Sequence, residues 1–373
     1  MIGKFISFLA VVLVVSACVD HPTPDLEDYP VSFPNLESDI LFNQDLTLCL
    51  YDKETEAIQV LEGLVPQHAS TNIQWTYDGV SILYIDPYNS SGNGTISDTS
   101  MIFRYNFSSE EIEPISDFFC SEFWLSPYEN SLLYELHDEI YFFNLDEGVS
   151  HSLNNLLYES VESDPSLLSF DRYSGVRWDI NDNLEFSSYL KIELTDSTSR
   201  SQKFYSIIDY TSNPPILIDT LNWQYPRVTY NSDRSMGVFI INNASDPKNG
   251  TWLIHRSNND TIQVADRPAF TLIFSPDDKY LAYSYYTVYT EMFDASTKMW
   301  IYNTETGENY DPFPEAYEVG GLSFSGTSNQ IVCHADFWAD DYSDNIWVMN
   351  VDGTNPTIIS DPSVSNTKPV FRP

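Results

Sequence analysis

From residue 39 onward, apolar and polar positions alternate with period two, and no stretch of helical period intervenes. Short apolar runs recur: SILYI (81–85), SLLYEL (131–136), MGVFII (236–241), YLAYSYY (280–286) and QIVCH (330–334). Later in each unit comes a run with alternating aromatics: MIFRYN (101–106), EIYFFN (139–144), KFYSIID (203–209), TWLIHR (251–256), MWIYN (299–303) and IWVMN (346–350). Turn clusters rich in Asn, Asp and Gly follow, and a short closing run such as SHSLN, TIQVA or TIIS ends the unit. Each unit therefore predicts four strands in succession.

The units repeat at a nearly fixed distance. A bulky apolar residue precedes a turn signal at Trp75, Leu125, Trp178, Tyr230, Phe274, Phe324 and Phe371, spaced 44 to 53 residues apart. Within the fifth copy, Phe274 ends a first strand, 275–279 make the turn, and 280–286 form the second strand. Four short strands per unit at this period predict a propeller blade, because one such sheet alone leaves apolar faces wet. Residues 39–62 read as second, third and fourth strands without a first, and 367–373 as a first strand alone. The two ends thus predict one composite blade that closes an all-β, seven-bladed ring. The count is six if the irregular unit 164–219 is partitioned differently.

The N-terminus predicts export. Lys4 precedes the apolar run 5–15, too short to span a bilayer, and Ser16-Ala17 precede Cys18. Val15-Ser16-Ala17-Cys18 resembles the lipobox of bacterial lipoproteins, which implies a signal peptide 1–17, acylation of Cys18 and attachment to a membrane by lipid alone. Val19, rather than Asp, favours the outer membrane. Residues 18–38 hold four prolines without helical period and read as an extended linker to a propeller at 39–373.

Charge narrows the partners. Of 373 residues, 55 are acidic and 17 basic, a formal charge of −38 that becomes −39 once Lys4 is cleaved. Phosphate backbones and anionic membrane surfaces repel such a chain, so nucleic acid is excluded as a partner. Beyond Cys18, the odd set Cys49, Cys120 and Cys333 cannot pair completely and reads as buried thiols, with at most one disulfide. His21, His68, His137, His151, His255 and His334 show no metal-pair spacing. DINDN (179–183) starts like a calcium loop, but Leu184 and Leu190 stand where that loop needs Gly and Glu.

FSPDDKYLAY (274–283) and IWVMNVDGT (346–354) resemble the propeller repeats of the TolB family, and also the propeller halves of dipeptidyl peptidases and prolyl oligopeptidases. The resemblance covers 39–373 and is weakest in the third unit, where Asp179-Ile180-Asn181 replaces Ser-Pro-Asp. It implies a propeller fold and leaves the activity open. Those peptidases carry a hydrolase domain with a G-x-S-x-G elbow, and no such motif occurs in this chain.

Function is sought in the loops between second and third strands, which share one face and are long at 86–100, 194–202, 242–250, 286–297 and 335–345. Tyr286, Tyr289, Phe293, Phe337, Trp338 and Tyr342 form a candidate binding face for protein or glycan; the alternative is that these rings cap blade edges. Asp336, Asp340, Asp341 and Asp344 are weak candidates for Ca²⁺, against a solvated acidic loop. The expectation is a monomeric, lipid-anchored envelope module that binds rather than catalyses and needs no cofactor. The alternatives are a glycan lyase or hydrolase with a site at the central channel, and an envelope-assembly scaffold like TolB.

Overall fold

Alternation by two does produce strands here, because each run can turn its apolar side into a neighbouring sheet. In the computed structural model, the described residues form 28 strands arranged as seven antiparallel four-stranded sheets. The structure describes residues 36–373 except 45–46, 62–63, 65–72, 87–100, 117–119, 121, 127–130, 137–138, 146, 154–168, 179–183, 194–198, 210–215, 223–227, 244, 287–296, 315, 317, 337–343 and 362–363. Sheet 1 joins Asn366–Phe371 to Ile40–Gln44, Thr47–Asp52 and Ala57–Val60. Sheets 2 to 7 occupy residues 73–114, 122–152, 169–222, 228–265, 271–310 and 318–358. In every sheet, strands adjacent in sequence are adjacent in space, and sheet 1 is completed from both ends of the chain.

The irregular unit is sheet 4: Ser169–Trp178, Leu184–Glu193, Ser199–Asp209 and Ile216–Asn222, with register shifts between Phe170 and Arg172 and between Ser174 and Arg177. The DINDN segment between its first two strands lies outside the described residues.

The turn between first and second strands has one geometry in sheets 2, 5, 6 and 7, at 76–81, 231–236, 275–280 and 325–330. The first residue's N–H donates to the sixth residue's carbonyl at 2.8–3.1 Å, and the fourth residue's N–H to the first residue's carbonyl at 2.9–3.1 Å. The fourth residue is left-handed in each: Gly79 (φ 66°), Arg234 (58°), Asp278 (62°) and Ser328 (66°). Only Gly79 occupies that region without steric cost. The third residue fixes the turn where it is Asp: Asp78 accepts from Val80 N (2.9 Å), Asp233 from Ser235 N (2.8 Å) and Asp277 from Lys279 N (3.2 Å).

Sheets pack face to face through layers of buried side chains. Ile40, Phe42, Cys49 and Tyr51 of sheet 1 meet Val332, Ile346 and Val348 of sheet 7, while Leu41, Leu48 and Leu50 meet Trp75, Ile82 and Tyr84 of sheet 2. Sheet 1 thus buries both faces, against the first and last complete units of the chain. Trp347, fully buried between sheets 6 and 7 beside Phe313, Met299 and Ile331, is the largest such side chain among the described residues. Each large ring removed from water in this way contributes about 2–3 kcal/mol.

Polar bonds stitch the same seams on the short-turn face. Ser232 of sheet 5 donates its N–H (3.0 Å) and its hydroxyl to the Asp278 carboxylate of sheet 6. Asp277 N donates to Ser328 Oγ of sheet 7 at 3.0 Å. Thr327 and Asn329 of sheet 7 donate to the Glu37 carboxylate, and Arg372 of sheet 1 donates to Gly79 O of sheet 2 at 2.7 Å. Between sheets 2 and 3, Gln74 bonds Phe123 O (3.1 Å) and Leu125 N (2.8 Å), and Trp178 of sheet 4 donates Nε1–H to Trp124 O (2.9 Å).

Candidate functional site

The two faces use their polar residues differently. On the short-turn face, the carboxylates of the first-to-second-strand turns and of Glu37 accept bonds that build the turns and seams. Bonds from the Thr76 hydroxyl and Val80 N hold the Asp78 carboxyl below its usual range, as the Ser235 hydroxyl and N–H do for Asp233. Burial alone would raise Asp277, but bonds from Ser275, Lys279 N and Ser328 bring it below normal. Glu37 is likewise pushed up by burial and brought down further by Ser325, Thr327, Asn329 and Lys53. These bonds favour the ionised carboxylates and tie them to the turns.

The opposite face, from which the long second-to-third-strand loops spring, carries exposed rings and a group of clustered carboxylates. Tyr286 ends the second strand of sheet 6, and Phe270 immediately precedes its first strand, Thr271–Phe274. Their rings stack with centroids 4.7 Å apart at 25°, and both remain exposed, Phe270 by 47% and Tyr286 by 43%. The platform is held from below. Phe270 N donates to Ser284 O (2.9 Å), Arg267 Nη1 donates to Tyr286 O (3.3 Å), and the Arg267 guanidinium lies 5.9 Å from the Tyr285 ring. Buried Thr251 bonds both Arg267 O (2.8 Å) and Ala269 N (2.9 Å), fixing the segment that carries Phe270.

A second group lies on this face where the first strands of sheets 7 and 1 pack together. Glu318 opens the first strand of sheet 7 in register with Asp336, the last residue of the second strand, and Asp344 immediately precedes the third. Burial, then Glu318 and Asp336, push the Asp344 carboxyl up to about 7. Burial and Asp336 raise Glu318 as well. Neither Glu318 nor Asp344 forms an ion pair among the described residues. Asn366, opening the first strand of sheet 1, bonds Asp344 O through its N–H (2.9 Å) and its Nδ2 (3.1 Å).

His334 lies beneath these carboxylates against Gly320 and Gly321: a Cβ at either glycine would stand 2.7 or 2.6 Å from the imidazole. Burial, with Lys368 beside it, pushes His334 down to about 4, so its ring is neutral near pH 7. Lys368 occupies the left-handed region (φ 53°); burial lowers its ammonium, and Glu122 at the start of sheet 3 opposes that shift. The inner edge of this face therefore gathers Glu122, Glu318, Asp336, Asp344, His334 and Lys368 from three sheets.

Of the residues expected to form the binding face, Tyr286 is exposed and stacked, while Tyr289, Phe293, Phe337, Trp338 and Tyr342 lie outside the described residues. Among the cation candidates, Asp336 is buried and Asp344 half-buried, and Asp340 and Asp341 are outside the described residues, as is Cys18. Among the described residues, no three His, Cys, Asp or Glu side chains are placed to share a metal ion. Cys49, Cys120 and Cys333 are buried free thiols. Phe270 escapes the sequence because FTLIF reads as one strand. The Glu122, Glu318 and Lys368 group escapes because only sheet packing brings its members together.

No family model matches the chain, and no curated protein matches it either. Among solved structures it is similar to the tricorn protease, with a TM-score of 0.55 and 8% identity over 89% of this chain and 34% of that one. The chain thus spans about a third of that protein's length. TolB from Acinetobacter baumannii aligns with a TM-score of 0.45 and 13% identity over 89% of this chain and 81% of TolB. The β-propeller domain of the Trilobed protease from Pyrococcus furiosus aligns with 0.47 and 12%, over 75% and 82%. At these identities the likeness is one of fold: the chain is an all-β protein of propeller type, with TolB and protease propeller domains among its structural neighbours.

Proposed function

We propose that the seven sheets are the blades of one propeller, held at the cell envelope by a lipid on Cys18, and that its long-loop face binds a protein or glycan. The observation that carries this reading is the contrast between faces. Carboxylates of the first-to-second-strand turns accept bonds within the turns and seams, whereas the other face presents two stacked, nearly half-exposed rings and two carboxylates, Glu318 and Asp344, that form no ion pair among the described residues. Exposed rings on a rigid frame lose little entropy on binding and bring large apolar area, the usual make-up of an interface anchor. The carboxylates add directional acceptors for donor groups of a ligand. The reading is one of binding rather than catalysis.

The test is capture from envelope extracts by the full chain, compared with the double variant Phe270→Ala, Tyr286→Ala. Capture should fall at least tenfold while the unfolding midpoint stays nearly unchanged, since both rings are already exposed. Undiminished capture by the variant would remove the long-loop face from the assignment.

A further inference from the structure

Residues 36–39 attach the N-terminal segment to one face of the sheets. In sheet 1 the turn between first and second strands is replaced by the two ends of the chain. Arg372, just past the first strand, donates its N–H to Asp39 O at 2.8 Å, and Asp39 immediately precedes the second. The chain upstream of Asp39 therefore arrives among the short turns, and it is fastened there. Glu37 N donates to Gln330 Oε1 (3.0 Å), Lys53 Nζ donates to Glu37 O (2.7 Å), and the Glu37 carboxylate accepts from Thr327 and Asn329 of the sheet 7 turn. Leu36 packs against the layer between sheets 1 and 7.

From this exit point we infer that the short-turn face is turned toward the anchoring membrane and the long-loop face away from it, toward a partner arriving from the aqueous compartment. The inference rests on the proposed lipid at Cys18. From Cys18 to Glu37 the chain reaches at most about 65 Å even when fully extended, so the fastened end cannot leave the neighbourhood of the membrane. A chain with 55 acidic and, once Lys4 is cleaved, 16 basic residues is also repelled by anionic headgroups within a Debye length of about 8 Å, so it stands off the surface rather than lying on it. Tether and repulsion together leave the short turns nearest the lipid and carry Phe270 and Tyr286 to the far side.

The experiment places one fluorophore on either face of the full lipid-modified chain in vesicles of phosphatidylcholine and anionic phosphatidylglycerol containing a headgroup spin-label quencher. Thr306→Cys lies in the turn between third and fourth strands of sheet 6, whose neighbour Thr304 N bonds Lys279 O of the short turn. Asp266→Cys lies in the exposed segment between sheets 5 and 6 that leads to Phe270. Labelling is selective because Cys49, Cys120 and Cys333 are buried, with burial pushing the Cys49 thiol to about 11 and the Cys120 thiol to about 12. Quenching at position 306 should exceed that at 266 at least twofold. Equal or reversed quenching on vesicle-bound protein would overturn the orientation alone. A wild-type chain that does not float with the vesicles, or a Cys18→Ser chain that still does, would overturn the anchor and the orientation together.

Discussion

Asp39 Oδ2 and Arg372 Nη1 lie 2.7 Å apart although 333 residues separate them in the chain. The same guanidinium donates Nε–H to Gly79 O (2.7 Å) and sits 5.6 Å from the Trp75 ring, so one side chain joins the two chain ends to each other and to sheet 2. A charge-assisted bond of this kind, partly shielded from water, contributes about 1–3 kcal/mol. Arg372→Ala should lower unfolding free energy by more than Asp39→Ala, because it also loses the Gly79 carbonyl and the ring contact. The double variant should cost less than the sum of the singles in denaturant unfolding. Strict additivity would show that the pair contributes nothing to closure.

Asp278 has two duties that a pair of substitutions separates. It accepts both the N–H and the hydroxyl of Ser232, and it holds a left-handed backbone at φ 62°. Asp278→Ala loses the link between sheets 5 and 6 and keeps the backbone cost. Asp278→Gly loses the same link but relieves about 1 kcal/mol of that cost. Glycine should therefore be the milder substitution by about that amount, with the difference read from equilibrium unfolding. An alanine variant as stable as the glycine one would remove the strain from the account.

These two residues also mark how far the sequence could be read. The turn, its place after Phe274 and the repetition of its frame were legible, because Asp, Asn, Ser and Gly at fixed offsets have local causes. So was closure, since the first-strand fragment at 367–373 and the missing first strand before residue 39 complement each other. The fate of Asp277 and Asp278 was not: from sequence they are turn residues, and packing ties them to the turn and the seams. The grouping of Glu122, Glu318 and Lys368 was likewise hidden, because its members come from three different units. Tyr286 was found through the length of the loop after it, while Phe270 looked like ordinary strand.

Stability should respond to pH through Asp344. Its folded carboxyl is raised to about 7 by burial and by Glu318 and Asp336, so between about pH 4 and 7 the folded state holds a proton that the unfolded chain has released. The stabilisation is fully present below the unfolded value and is lost as pH rises through the folded one, by up to about 1.4 kcal/mol per pH unit. His334, whose folded value is lowered to about 4, runs oppositely in the same window, so wild-type stability alone hides the effect. Comparison with Asp344→Asn removes it: the variant should gain on wild type as pH rises from 5 to 7 and hold a constant lead above 8. A pH-independent difference between the two chains would show that Asp344 titrates normally.

Gly321 should be intolerant of any side chain, for two reasons that a control can divide. Its φ of 58° is left-handed, and an added Cβ would lie 2.6 Å from His334 Nδ1 and 2.9 Å from Pro369 Cδ. Gly148 has a similar φ of 67° with nothing within 4 Å of the added atom. Gly148→Ala should therefore cost only the backbone conformation, about 1 kcal/mol. Gly321→Ala should cost that plus about 1–3 kcal/mol of overpacking between the first strands of sheets 7 and 1. Adding His334→Ala to Gly321→Ala should recover part of the loss by removing the imidazole, while the Pro369 contact and the backbone cost remain. Equal costs at positions 148 and 321 would mean that His334 moves aside freely, and the inner edge of the long-loop face would then be softer than its packing suggests.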